Sequence, residues 1–435
     1  MRTCFVAVVL WAAGVGPAGA GQEHSSSHAA DPPLMLPAAI DEARRNNPDV
    51  IALRARARPV RERPAQERFL PPPMLEAQIW QWPIDSLNPA NTNMFAFMAT
   101  QDVPGRGKRA LRAAVAGKDV ELAANEVESR TRQIVDQVKR AYADLFVARA
   151  ATEIHLSTAD VVRQLEQASQ ARYAAGRISQ QDVLKAVVEL STLHGHLIML
   201  EEQAKVAAAR LNALLGRAPD AAIGPLTNPH EQTLVAELQT LIEAARRDQP
   251  ELKAARLAVE RAEAELAVTK RDYKPDYSIQ AGYAVMPRQS DSIMARVGLT
   301  WPSAPWSRGR LDSRSAEQLM SIEAARADER AIDNRIRLAV QEAYIRVKAA
   351  EQRLSLFRTT ILPQARQTLE VSRVAYQTDR IDFLALLDNQ RTVLTAQLEY
   401  SRALADFEQA AADLEQAVGS DLPPAMFGPA ARAGT

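Results

Sequence analysis

The feature that most constrains this chain is that it is written twice. Ile40 to Arg54 reads IDEARRNNPDVIALR, and Ile242 to Arg256, 202 positions later, reads IEAARRDQPELKAAR. At the same offset Pro73 pairs with Pro275, Gln78 with Gln280, Gly107-Lys108 with Gly309-Arg310, and Tyr142 with Tyr344. Tyr173 and Tyr376, Leu211 and Leu414, and Gly216 and Gly419 pair at 203. Chance supplies one such match, not an ordered series, so two halves of about 180 residues share one plan.

Each half reads as helix, strand, strand, very long helix and returning helix. The strands fall at about 74–83 and 94–103, and again at about 276–285 and 293–301. Tyr277, Ile279, Ala281, Tyr283 and Val285 alternate with polar or small residues, as do Ile293, Ala295, Val297, Leu299 and Trp301. A period of two with one apolar face suits a strand between lipid and a wet lumen, although an ordinary half-buried sheet has the same local pattern. The first half is less regular: Met94 to Thr100 is apolar on both faces. Trp80, Trp82 and Trp301 lie near strand ends, where aromatic belts sit. Four strands are too few to close a barrel, and an open edge in lipid leaves backbone groups unsatisfied. If the strands sit in a membrane, other copies must complete the wall. Three copies give twelve strands.

From Gly107 to Arg172 there is no proline, and the matching stretch from Gly309 to Ala375 holds only Pro363. Ile332, Ile336, Ala339, Ala343, Val347, Ala350, Leu354, Phe357 and Ile361 step by threes and fours, a coiled-coil seam. Val127, Ile134, Val138, Ala141 and Leu145 mark it in the first half. At 1.5 Å per residue such helices reach roughly 100 Å, far beyond a globular core. Pro48 and Pro250, each after an Arg-Arg pair, end one helix and start the next, and Gly216 and Gly419 cap the returning helices.

The 53 basic and 53 acidic residues balance, so charge gives no sign of a nucleic-acid partner. Residues 1–20 have the basic start, apolar run and small-x-small site of a signal peptide, which would remove Cys4, the only cysteine. Residues 21–37 and 420–435 read as flexible tails and 217–239 as a linker between repeats spanning 38–216 and 240–419. No later stretch of about 18 residues reads as apolar enough for a transmembrane helix.

With the repeat and strand pairs in hand, the chain resembles the TolC-like outer-membrane efflux family over nearly all its mature length. Arg172-Tyr173-Ala174-Ala175-Gly176, with Ser179 and Asp182-Val183-Leu184, resembles that family's turn at the periplasmic tip. Its repeat partner is Tyr376-Gln377-Thr378-Asp379-Arg380-Ile381-Asp382-Phe383-Leu384. Gln101 to Arg109 and Leu211 to Gly216 are similar to the family's turn into the long helix and its helix end. The resemblance implies a homotrimer: a twelve-stranded β-barrel in outer-membrane lipid, continuous with a periplasmic helical tube. It also implies a periplasmic adaptor and an inner-membrane pump, of the RND type, as partners. Arg172, Tyr173, Gly176, Ser179, Tyr376, Asp379 and Arg380 would then carry adaptor docking. Asp388 and Asp382 would form the periplasmic gate, with Ala385 where another aspartate is common and Asp379 where glycine is expected. The strand methionines and the Pro-Gly-x-Gly-Lys-Arg stretch resemble the heavy-metal branch. Multidrug export and type I protein secretion are the alternatives.

Other residues carry less. His24 and His28 in the N-terminal tail, and His194 and His196 on a helix, read as chance or surface histidines. Met74, Met94, Met98, Met286 and Met294 read as filling for membrane strands in preference to soft-metal contacts. Arg54, Arg56, Arg58, Arg61 and Arg63 read as a solvated face. No nucleophile with its base, phosphate loop, metal cage or cofactor motif is evident, so no enzyme is expected. A secreted coiled-coil scaffold or adhesin explains the seam but not the strands, and a periplasmic adaptor would need a compact β-rich domain.

Overall fold

A computed structural model describes residues 33–86, 88, 91–228 and 232–429. The expected signal peptide, with His24 and His28, lies outside the described residues. The first half comprises α1 (Leu36–Asn46), α2 (Pro48–Val60), α3 (Arg63–Gln66), β1 (Met74–Trp80), β2 (Met94–Val103), α4 (Lys108–Ala174) and α5 (Gln180–Leu215). A short β3 (Gln232–Leu234) leads into α6 (Leu238–Asp248), α7 (Pro250–Asp272), β4 (Tyr277–Val285) and β5 (Ser292–Leu299). Then come α8 (Arg308–Leu356), a π-helical segment (Phe357–Ile361), α9 (Leu362–Gln377), α10 (Phe383–Val418) and β6 (Phe427–Pro429).

The repeat is visible in the core. Val50, Ile134, Val138, Leu145, Leu211 and Leu215 pack as one buried cluster, and Leu252, Ile336, Val340, Val347, Leu414 and Val418 occupy the matching places in another. Pro48 and Pro250 stand at the first position of α2 and α7, where the missing N–H has no partner to lose. The preceding residue latches each half shut. Asn47 Nδ2 donates to Leu214 O at 2.9 Å, and Gln249 Nε2 donates to Ala417 O at 2.9 Å. Gly216 (φ 75°) and Gly419 (φ 78°) close α5 and α10 beside those latches. A Cβ there would come within 2.4 Å of Asn46 O or 2.5 Å of Gln249 Cα, so both positions need glycine twice over.

The strands form one antiparallel sheet in the order β1-β2-β4-β5. β1 stops at Trp80, short of residue 83, because Gln81 turns to φ 55° and Pro83 cannot donate to a ladder. On one face Leu75, Ile79, Phe97, Ile279, Tyr283, Ile293, Val297 and Leu299 are all exposed, Ile293 by 83%. The opposite face carries Glu76, Gln78, Thr100, Asp102, Ser278, Gln280 and Arg296. The outer edges of β1 and β5 have no strand beside them among the described residues.

Sheet and helices meet at a buried lysine. Lys108, 2% exposed, places Nζ 2.9 Å from Asp276, whose carboxylate also accepts from Gly105 N at 2.7 Å. A Cβ on Gly105 would lie 2.4 Å from Pro275 O, which explains the glycine-rich turn into α4.

α4 runs for 67 residues unbroken, about 100 Å at 1.5 Å each. Its counterpart is α8 (49 residues), the π-helical segment (5) and α9 (16), with Pro363 near the start of α9. A mid-helix proline removes one hydrogen bond and crowds the preceding turn; the wider π turn takes up that misfit. The seam on α8 passes through Val340, fully buried, and not through the exposed Ala339 expected from spacing. Ile336, Val340, Ala343, Val347 and Leu354 thereby keep a strict heptad rhythm.

Three expectations need correction. α5 does contain an 18-residue window apolar enough, by length and composition, to cross a bilayer. Lys185 and Glu189 interrupt its apolar run; Glu189 is buried and paired with Arg391 of α10, and α5 lies along α4. The segments read as a flexible tail and a linker are joined: β6 pairs antiparallel with β3, and Leu422 is 7% exposed. Leu34, in the other expected tail, donates its N–H to Pro225 O and accepts from the Tyr142 hydroxyl, both at 2.8 Å. Backbone groups pair in all these segments because their apolar residues cover the two cores.

Candidate functional site

Two helical tips face away from the sheet, where α4 turns into α5 and α9 into α10. At the first, Arg177 N donates to Arg172 O at 2.9 Å, and Gly176 takes φ 68°. At the second, Arg380 N donates to Ala375 O at 2.9 Å, and Asp379 takes φ 55°. Both close a helix by the same left-handed cap. Aspartate stands in the second because its short polar side chain tolerates that conformation better than most.

Arg172 fastens one tip to the other. Its Nη2 donates to Tyr376 O at 3.2 Å and Gln377 O at 3.4 Å, and its Nη1 lies 3.2 Å from the Asp379 carboxylate. Its guanidinium also stands 4.4 Å from the centre of the Tyr376 ring. Tyr376, 7% exposed, meets Phe383 edge-on at 6.1 Å within a small core of Ala186, Leu386 and Leu387. Tyr173, Gly176, Ser179, Asp379 and Arg380 are exposed around this plug. The structure therefore brings the seven docking candidates together at one end of the molecule.

The two gate candidates separate. Asp382 caps α10, its Oδ1 accepting from Ala385 N at 2.9 Å, so it has a structural role at the start of that helix. Asp388 is exposed on α10. At the first tip Ser179 fills the cap position and donates its hydroxyl to Asp182 at 3.1 Å.

Near the other end of α10 a charged seam joins it to α4. Lys139 pairs with Glu415, and Arg140 bridges Asp136 and Asp413. Beside them burial pushes the Glu408 carboxyl up to about 7; Lys139 opposes that shift and Glu415 adds to it.

Sequence reasoning missed several of these features. His196 is exposed as expected, but its ring meets the buried His155 edge-on at 5.7 Å. Trp306, 82% exposed, stands edge-on to Trp301 at 5.9 Å. Arg172 was recognised as a tip residue but not as a cross-tip fastener. The signal was available: its repeat partner is Ala375, which has no reach. The arginines at 54, 56, 58, 61 and 63 are all exposed.

Comparison with known proteins matches this architecture. The chain is 27% identical over 305 residues, 68% of this chain and 69% of the relative, to the cobalt-zinc-cadmium resistance protein CzcC of Cupriavidus metallidurans. The MtrE outer membrane channel of Neisseria gonorrhoeae, solved in its open state, superposes with a TM-score of 0.73 at 14% identity, covering 89% of each chain. The outer membrane protein VceC of Vibrio cholerae gives 0.71 at 18% identity, covering 88% of this chain and 96% of that one. The family described as outer membrane efflux protein matches residues 39–217 and 241–420, one match on each half, and this chain belongs to that family: an outer-membrane protein with a periplasmic helical part.

Proposed function

We propose that the chain is the exit duct of a tripartite efflux system, acting as a homotrimer. The observation that carries this is the four-stranded sheet, whose exposed face is apolar except for Gln101 near its helical end and whose two edges have no strand beside them among the described residues. Lipid can cover that face but cannot satisfy those edges. Three sheets joined β5 to β1 make twelve strands and leave no edge. The face with Glu76, Gln78, Gln280 and Arg296 then lines a wet lumen, and the helices extend it about 100 Å into the periplasm.

The tips offer an adaptor the exposed Tyr173, Ser179 and Arg380 beside a rigid plug of Arg172 and Tyr376. An inner-membrane pump of the RND type supplies the driving force. Three copies of Asp388 form the narrow acidic ring, and Asp382 supports it by starting α10 in register. Heavy-metal cations are the cargo favoured by the likeness to a cobalt-zinc-cadmium resistance protein.

Growth of a strain lacking this gene, on a panel of metal salts, dyes, detergents and antibiotics, tests the cargo. Sensitivity restricted to metal salts (cobalt, zinc, cadmium, copper or silver), and restored by the intact gene, is expected. Broad sensitivity to organic compounds makes the chain a multidrug duct instead. A cysteine pair placed across the β5 and β1 edges should crosslink three chains in whole cells. A detergent-free soluble monomer would refute the duct.

A further inference from the structure

The strand methionines do not fill the lipid face. Leu75, Phe97 and Ile293 point to that side; Met74, Met98 and Met294 are each one residue out of phase with them and share the polar face. The register sets them in order. Glu76 lies opposite Met98, Met98 opposite Gly282, and Gly282 opposite Met294, so one row crosses all four strands. The next row towards the helices is Met74, Thr100, Gln280 and Arg296, where Gln280 donates to the Thr100 hydroxyl at 3.0 Å. On the other side lie Gln78 and the small residues Ala96, Ala284 and Ser292.

Gly282 gives this row its chemistry. Strands in a sheet are about 4.8 Å apart, so Met98 and Met294 start roughly 10 Å apart with no side chain between them. Met98 already leans into that gap: a Cβ built on Gly282 would stand 2.8 Å from its Cγ. Methionine turns about three bonds, so Met294 reaches the same gap from the far side. Glu76, the next residue along the row, adds a negative charge. Two neutral thioethers and one carboxylate make a soft site with little attraction for magnesium, calcium or zinc.

We propose that Met98, Met294 and Glu76 form a transit site above Gly282 for a soft monovalent cation, silver(I) or copper(I). The proposal rests on the duct reading, which turns this face to the lumen and sets three such sites at one height. The loose coordination suits a conduit, because a tight site would hold the ion it has to release.

The test uses the full-length trimer in planar lipid bilayers bathed in potassium nitrate. Silver nitrate should reduce the single-channel current, and added glutathione should restore it. Exchanging both residues, Met98→Leu with Met294→Leu, keeps volume and should raise the half-blocking silver concentration by roughly an order of magnitude or more. Met74→Leu, one row away, should leave it unchanged, and zinc nitrate should not distinguish the variants. Absence of any wild-type current would remove the duct itself. A normal current that silver leaves untouched, block that survives the double exchange, or equal loss in Met74→Leu would each overturn the site while leaving the duct standing.

Discussion

The two tips share a backbone and use it in opposite ways. Tyr173 and Tyr376 occupy the same repeat position, yet the first is 47% exposed and the second 7%. The difference comes from the residue just before each. Arg172 spans the gap and lies over Tyr376, whereas Ala375 spans nothing. Duplication set where the chain turns; one unmatched arginine decides which turn is pinned and which is presented. The second tip is therefore the firm one, although it lacks the glycine and holds Asp379 at φ 55°.

The sharpest break comes from Tyr376→Ala, which empties the plug between Arg172 and Phe383. It should destabilise the tip by about 3 kcal/mol and speed amide exchange at the start of α10. Tyr173→Ala should change stability by less than about 0.5 kcal/mol, so equal effects would end the distinction between the tips.

Next is the seam that the same two helices, α4 and α10, make far from the tips. Glu408 keeps its proton to about 7, against 4.5 ordinarily, so between those values the folded chain holds more protons than the unfolded one. Stability must then fall as pH rises through that window, by up to roughly 3 kcal/mol. Glu408→Gln should flatten the profile and raise the helical melting temperature at pH 8 but not at pH 4.5, as followed by circular dichroism.

Arg172→Ala removes two hydrogen bonds, the ion pair to Asp379 and a ring contact, for about 1–2 kcal/mol, and should bring the exposure of Tyr376 closer to that of Tyr173. The expected readout is a higher resting conductance of the reconstituted trimer. The smallest effect belongs to Asp379→Gly, which loses an exposed ion pair and relieves the left-handed backbone, two changes of a few tenths of a kcal/mol that nearly cancel. If Asp379→Gly matched Arg172→Ala, charge and not ring stacking would be the fastener.

Much of this was legible because it is periodic. The offset of about 200 residues aligned Ile134 with Ile336 and Leu211 with Leu414, and all four are buried. Alternation located the strands to within three residues at either end. What escaped was set by partners distant in sequence. The phase of Met98 within β2, a strand apolar on both faces, emerges only from its pairing with Glu76 and Gly282. The His155–His196 contact joins α4 to α5 with no shared motif. The cap that Asp382 forms on Ala385 N is a local exception, three residues long, which an acidic residue ahead of an apolar helix start already announces.

The pairing of β3 with β6 makes the chain a closed loop with a late clasp. Gln232–Leu234 waits between the halves for Phe427–Pro429, nearly the last residues described. Lys348 of α8 donates to Leu234 O at 2.5 Å, so the waiting strand is seated on the second half as well as on the C-terminal end. A chain emerging from its N-terminus can build both helical halves and still lack this last bond. The clasp thus ties the two ends of the second half together: a copy cut short near residue 420 would keep both tips, the long helices and the four-stranded sheet, but would leave Gln232–Leu234 without its partner strand.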